Sequence, residues 1–209
     1  GAALCSNAKL LPPEEGKERY TVLGDPTEAC LGVVAQKGGI DLDTLNQTFP
    51  RVMELPFDSR RKRMTTIHQL REPFEGSNRI AFVKGAPKEV MELCQRCYDG
   101  SSSRPMKEED RQRIMQANDT YARDGLRVLA VAYRPLRRDD ETLPESIREY
   151  TPENVEENLT FLGLVAMQDP PRSEVKEAVR LCRSAGIKII MITGDYGLTA
   201  ESIARKIGI

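Results

Sequence analysis

"PRVMELPFDSRRKRMTTIHQLREPFEGSNRIAFVKGAP", residues 50–87, decides the fold class. Runs 50–57, 62–70 and 78–84 read as strands, with turn signals such as Gly76-Ser77-Asn78 between them. Three strands so closely spaced predict an antiparallel sheet. After Lys84 the chain turns at Gly85 and enters a helix predicted over Pro87–Gln95, with proline at its first position. Upstream, Tyr20–Leu23 reads as a strand end and Glu28–Lys37 as a helix closed by Gly38-Gly39. Downstream, Gly100–Met106 is a Ser-rich loop. Lys107–Asp124 reads as a helix with Ile114, Ala117, Asn118 and Tyr121 on one face and Gly125 as its stop. "LRVLAVAY" (126–133) is a buried strand, and 135–158, with Pro135, Pro144 and Pro152, is a long charged connection.

From residue 159 the pattern changes. "LTFLGLVAM" (159–167) and "IKIIMIT" (187–193) are near-continuous apolar runs, each followed by an amphipathic helix, over 173–186 and 198–208. Continuous apolar strands alternating with helices suit a parallel sheet covered on both faces. The chain is therefore expected to be α/β in two regions. Residues 1–158 form an α+β domain, a mainly antiparallel sheet flanked by helices. Residues 159–209 form a partial doubly wound βαβα segment, too short to cover its own sheet.

The bulk numbers exclude several classes. The 209 residues carry 31 basic and 32 acidic side chains, a net charge of −1, which points to neither nucleic acid nor an anionic membrane. No apolar run approaches the roughly 20 residues that span a bilayer, and no signal peptide is recognisable. Five cysteines without a regular framework suit a reducing compartment. Cys94-Gln95-Arg96-Cys97 is a lone CxxC at the end of a predicted helix, and the single histidine, His68, is distant in sequence. These thiols are expected to be ordinary buried or half-buried ones rather than zinc or redox ligands.

Several short stretches admit both a structural and a chemical reading. In Asp25-Pro26-Thr27-Glu28, Asp25 suits a helix cap, Pro26 the first helical position, and Glu28 the carboxylate of a capping box. Lys84 at a strand end beside a helix start suits either a surface or a phosphate contact. Phe57 precedes Arg60, Arg61, Lys62 and Arg63. It fits a core aromatic beside a solvated turn, or a platform for a purine whose phosphates meet the cations. Thr193-Gly194-Asp195 follows an apolar strand and precedes a helix. It fits a capped turn, or a crevice for phosphate and a divalent cation.

"GDPTEA", "FDSRRKRM", "FVKGAP", "GLRVLAVA", "DPPR" and "MITGD" occur in this order across nearly the whole chain. In that combination the sequence resembles the P-type cation-transporting ATPases, most closely their calcium-pump branch, over about residues 3–209. The resemblance implies a nucleotide-binding domain (1–158) followed by the first part of a returning phosphorylation domain of the dehalogenase type (159–209). It implies ATP and Mg²⁺ as cofactors. It also implies, as partners, the phosphorylation, actuator and transmembrane domains of a pump, with the domain on the cytoplasmic side of a membrane. No nucleic acid is implied.

Residue by residue, Glu28 matches the acidic group at the adenine side of the family's pocket, Phe57 the stacking aromatic, and Lys62 a lysine deeper within it. Lys84 with Gly85 matches the KGA lysine near the nucleotide, Arg127 an arginine reaching the phosphates, and Leu129 an apolar wall. Asp169 and Arg172 match the DPPR hinge segment that meets the ribose end. Thr193, with Gly194, matches the hydroxyl that bonds the phosphoryl group, and Asp195 lies near Mg-ATP in the closed state. Ser59 departs from the pattern, since some calcium pumps carry arginine there; Arg60 or Arg61 is left as a candidate replacement. The family's phosphorylated aspartate stands in a DKTGT string that these 209 residues do not contain, and is expected upstream of Gly1. No complete catalytic site is therefore expected here, and the chain is expected to hold ATP for an aspartate elsewhere. Two other classes stay in view. A soluble dehalogenase-type phosphatase needs a nucleophilic Asp after an apolar strand, and the only DxD is Asp41-Leu42-Asp43. A non-catalytic adaptor would bind no adenine nucleotide.

Overall fold

The computed structural model describes residues 1–11, 20–168, 170–194 and 196–209. In chain order the elements are β1 (Lys9–Leu11), β2 (Thr21–Leu23), α1 (Pro26–Lys37), α2 (Leu42–Thr48), β3 (Arg51–Asp58), β4 (Arg63–Phe74), β5 (Ser77–Gly85) and α3 (Pro87–Glu92). There follow β6 (Cys94–Tyr98), β7 (Ser103–Pro105), α4 (Glu108–Arg123), β8 (Arg127–Pro135), α5 (Pro152–Val155), β9 (Leu159–Met167), α6 (Val175–Ser184) and α7 (Gly197–Ile207). The chain divides into two compact units, Gly1–Lys107 with Leu129–Val165, and Glu108–Val128 with Ala166–Ile209.

The first unit is built on a seven-stranded sheet ordered β3-β4-β5-β8-β9-β6-β7, with β1 and β2 as a separate ribbon. The pairs β3–β4, β4–β5, β5–β8 and β6–β7 are antiparallel, and β6–β9 is parallel. The strands predicted at 50–57, 62–70 and 78–84 are thus β3, shifted by one residue, β4, which starts one residue later and runs on to Phe74, and β5, one residue longer at each end. The β4–β5 turn falls on Glu75 and Gly76, both at positive φ (49° and 79°), between the paired Phe74 and Ser77. Two such residues give the turn whose twist matches the strands.

Alternation assigns the two faces of this sheet. On one, Met64, Leu70, Ile80, Phe82 and Tyr133 pack with Leu4 and Cys5 of the N-terminal segment, under Leu45 and Phe49. On the other, Leu55, Ile67 and Ala81 pack under Leu136, Tyr150 and Val155 of the long connection. Charged as it is, that connection covers a sheet face because its apolar residues fall where the core needs them. His68 belongs to the first face. It is 1% exposed, its Nδ1 donates to the Phe49 carbonyl at 2.8 Å, and Nε2 accepts from the Thr66 hydroxyl at 3.0 Å.

In the second unit α7 lies against α4. Thr199 Oγ1 donates to the Leu126 carbonyl at 3.0 Å, and the Tyr196 hydroxyl to Asp119 at 3.1 Å.

Three features differ from the sequence reading. The apolar run 159–167 does not begin a separate parallel βαβα sheet; as β9 it pairs with β6 of the large sheet, Cys94 opposite Leu159. The run 187–193 forms no strand, and Ile190 and Ile192 are 71% and 92% exposed. A buried parallel strand exists only where neighbours accept its backbone bonds, and among the described residues this run pairs with no strand. Finally, the helix expected over Pro87–Gln95 ends at Glu92, so the CxxC falls on β6. Cys94 and Cys97, three residues apart on a strand, point to opposite faces. Both thiols are buried and unbridged.

Candidate functional site

Helix α1 begins as its sequence requires. Asp25 Oδ1 accepts the backbone N–H groups of Thr27 (2.7 Å) and Glu28 (3.2 Å), and Pro26 occupies the first turn. Glu28, however, does not close a capping box. Its Oε1 accepts from Lys84 Nζ at 2.7 Å and its Oε2 from the backbone N–H of Asn7 at 2.5 Å. Two residues 56 apart in sequence, each singled out on its own, thus form one ion pair, with side-chain exposures of 7% for Lys84 and 17% for Glu28. Burial alone would raise the Glu28 carboxyl, but the Lys84 and Asn7 bonds and the lysine charge outweigh it and hold it below the ordinary carboxylate range.

The strand register extends the site. Lys84 is paired with Met64 on one side and Val131 on the other. Between the pairs Leu55–Thr65 and Asp58–Arg63, both Pro56 and Phe57 stand opposite Met64 alone. This bulge breaks the alternation and turns Phe57 out of the core, leaving it 62% exposed. The core reading of Phe57 is thereby excluded. Leu129, half-buried, is two residues before Val131 and shares its face of β8. Phe57, Lys84 and Leu129 therefore belong to one region of the sheet, with Glu28 reaching it from α1.

Gly85 is fixed by close approach. A Cβ there would lie 2.5 Å from the Lys62 carbonyl oxygen and 2.6 Å from Arg63 Cβ. That carbonyl accepts the Ala86 N–H at 3.0 Å, so the β3–β4 turn is laced to the segment after β5. Lys62 sits in the turn at φ 51° and its Nζ donates to Glu89 Oε1 at 2.7 Å, in a pair whose lysine is 57% exposed. Burial would raise the Glu89 carboxyl, but the Lys62 bond prevails and lowers it; the same bond raises Lys62.

The remaining candidates belong to the second unit or lie outside the described residues. Arg127 opens β8 and belongs to the second unit, exposed. Arg172, Thr193 and Gly194 are exposed in irregular backbone of that unit. Asp169 and Asp195 lie outside the described residues. Among the described residues no group of three or more His, Cys, Asp or Glu is placed to hold a metal ion. Asp41 of the DxD caps α2, accepting the Thr44 N–H at 2.8 Å, rather than ending an apolar strand. A cavity of about 680 Å³ around Arg96, Arg134 and Arg137 lies elsewhere in the first unit, and one of about 280 Å³ is lined by Gly32, Arg51 and Asn7, whose backbone N–H meets Glu28. Sequence reasoning missed Asn7, Glu89 and Glu156. Only Glu89 carried a local signal, as an acidic residue in the first turn after Pro87.

The chain has a counterpart among known families. Residues 1–174 match the P-type ATPase cytoplasmic domain N, and the chain belongs to that family. Among individual relatives it is 37% identical over 207 residues to a calcium-transporting ATPase of Bacillus subtilis, covering 98% of this chain and 21% of that protein. It is 38% identical over 209 residues to a sodium/potassium exporting P-type ATPase of Schizosaccharomyces pombe, covering 99% of this chain and 18% of the relative. A probable cation-transporting ATPase F of Mycobacterium tuberculosis is 36% identical over 215 residues, covering 100% of this chain and 21% of the relative. The chain thus spans about a fifth of the length of these relatives.

Proposed function

We propose that this chain is the ATP-binding part of a P-type ATPase that couples ATP hydrolysis to cation transport across a membrane. Calcium is the proposed cation, being the ion named for the relatives from Bacillus subtilis, Listeria monocytogenes and Lactococcus lactis. The observation that carries the reading is Phe57. A large aromatic held 62% exposed by a bulge, beside a basic turn and the Glu28–Lys84 pair, is what a stacking platform for adenine requires. Stacking contributes about 0.5–1.5 kcal/mol beyond burial.

In this reading Glu28, Lys62, Lys84, Gly85 and Leu129 line the adenine pocket. Arg127, Asp169, Arg172, Thr193, Gly194 and Asp195 meet the ribose and phosphates when the domains of the parent pump close. Residues 1–158 act as the nucleotide-binding domain and 159–209 as the start of the phosphorylation domain. Mg²⁺ enters with the phosphates of ATP. The domain works on the cytoplasmic side of the membrane beside the pump's phosphorylation, actuator and transmembrane domains. No helix among the described residues is long and apolar enough to cross a membrane, which suits that placement. Lys62 and Lys84 are both already paired with carboxylates, so phosphates must compete for them. Binding is accordingly weak, with a Kd on the order of micromolar to millimolar.

The test is an NMR titration with ATP. Shifts should concentrate on Phe57, Glu28 and Lys84, and both Phe57→Ala and Lys84→Ala should weaken binding. Unchanged affinity in a folded Phe57→Ala variant would remove the pocket assignment. The 209-residue polypeptide should take up no acid-stable phosphate from ATP, since it contains no DKTGT string.

A further inference from the structure

Four consecutive cations, Arg60, Arg61, Lys62 and Arg63, follow Phe57, and their side chains are not equivalent. The turn backbone is held by Asp58, whose Oδ1 accepts the N–H groups of Arg60 and Arg61 at 2.9 Å each, while its carbonyl accepts that of Lys62 at 2.7 Å. Beyond the backbone the arginines part. Arg61 Nη1 lies 2.5 Å from Glu156 Oε1, and its Nη2 donates to the Pro56 carbonyl at 2.8 Å. Arg63 Nε donates to Glu156 Oε2 at 2.6 Å, and its Nη1 to the Arg61 carbonyl at 3.1 Å. Thr65 Oγ1 adds a third bond to Glu156, at 2.7 Å. The Glu156 side chain is 0% exposed.

Glu156 sits on the connection that covers the Ile67 face of the sheet, next to Val155. Arg63 and Thr65 alternate with Met64 along β4, so they belong to the face opposite Lys84. Arg60, by contrast, is exposed; among the described residues its guanidinium makes no hydrogen bond or ion pair, and its charge acts on the Asp58 carboxylate only through space, as that of Arg61 also does.

We propose that Glu156 sorts this basic turn, drawing Arg61 and Arg63 to the far face of the sheet, and that Arg60 is the guanidinium left to meet the phosphates of a nucleotide stacked on Phe57. The proposal rests on the nucleotide-binding reading of Phe57. A phosphate that took Arg61 would strand a buried carboxylate with one partner fewer, a severe penalty. A phosphate that takes Arg60 breaks no hydrogen bond or ion pair, weakens at most a solvent-screened attraction to Asp58, and orders an exposed side chain. Glu156 is thus a positioning residue and Arg60 a binding residue.

The experiment titrates ATP and adenosine separately into the native chain and into Arg60→Ala, Arg61→Ala and Phe57→Ala, by NMR at low and high salt. Arg60→Ala should weaken ATP about two- to fivefold at low salt, the range of one exposed ion pair, and less at high salt. Adenosine affinity should not change. Arg61→Ala should leave the ratio of ATP to adenosine affinity intact. In a Glu156→Gln background, where Arg61 is released, Arg61→Ala should lower ATP affinity, a dependence that a merely structural Glu156 would not produce. If Glu156→Gln does not fold, the single arginine variants still decide. An unchanged ratio in Arg60→Ala, or a loss in Arg61→Ala, overturns the proposal while leaving the pocket standing. Absence of adenosine binding, or indifference to Phe57→Ala, overturns the pocket and this proposal with it.

Discussion

Removing the Glu28 carboxylate should destabilise the protein through Lys84, not through the start of α1. Asp25 caps the first turn with its own carboxylate, accepting the N–H groups of Thr27 and Glu28, so Glu28→Gln leaves those bonds in place. What it removes is one charge of a pair 2.7 Å apart whose lysine side chain is 7% exposed. At an effective dielectric of about 20 that separation corresponds to a gross attraction of roughly 6 kcal/mol. Desolvation cancels much of it, and breaking a buried pair on one side typically costs about 3–5 kcal/mol. Glu28 keeps some exposure, so the expectation is lower, about 2 kcal/mol for Glu28→Gln and about 2–3 kcal/mol for Lys84→Met. The double variant should lose less than the sum, with a coupling of about 1–3 kcal/mol. Urea unfolding of the four proteins at pH 7 measures this. The coupling should also depend on pH in a defined direction. The Glu28 carboxyl is lowered from its ordinary 4.5, so its contribution is complete above that value and is lost as pH falls through the folded one. A coupling below about 0.5 kcal/mol at pH 7, within the scatter of independent sites, would refute the ion pair as a structural tie.

Gly85→Ala should destabilise by about 1–3 kcal/mol, because the new methyl meets the Lys62 carbonyl and the turn must move; thermal melts check this, and ATP affinity should fall with it. The single His68 should titrate below its ordinary 6.5, burial being the main cause, so stability present above that value is lost as pH falls below it; one imidazole resonance followed by NMR decides, and titration at or above 6.5 contradicts the buried placement. Tyr133 is pushed up to about 12 by burial and by its bond to Glu75, which favours the neutral phenol. Stability should therefore fall as pH rises from about 10 toward 12, by up to about 1.4 kcal/mol per pH unit, and Tyr133→Phe should flatten that slope in urea melts.

Much of this was legible in the residues. The strands β3, β4, β5 and β8 and helices α1, α4, α6 and α7 follow from periodicity, Pro and Gly punctuation and capping residues, all of which act over a few positions. Cys94 shows the limit of such signals, since the CxxC reads as a helix end yet lies on a strand paired with Leu159, 65 residues away. The run 187–193 shows it again, because apolar content marks a strand only where a neighbouring strand completes its backbone bonds.

The candidate site divides in the same way. Sequence alone determined that Glu28, Phe57, Lys62 and Lys84 were worth attention and that Asp25 caps α1, since each carries its reason within one turn or one strand. Only tertiary structure decided that Glu28 meets Lys84, that a one-residue bulge turns Phe57 outward, and that Arg61 and Arg63 face Glu156 while Arg60 does not. Those outcomes depend on strand register and on buried charges finding partners 56 and more than 90 residues away, contacts that leave no trace in local spacing.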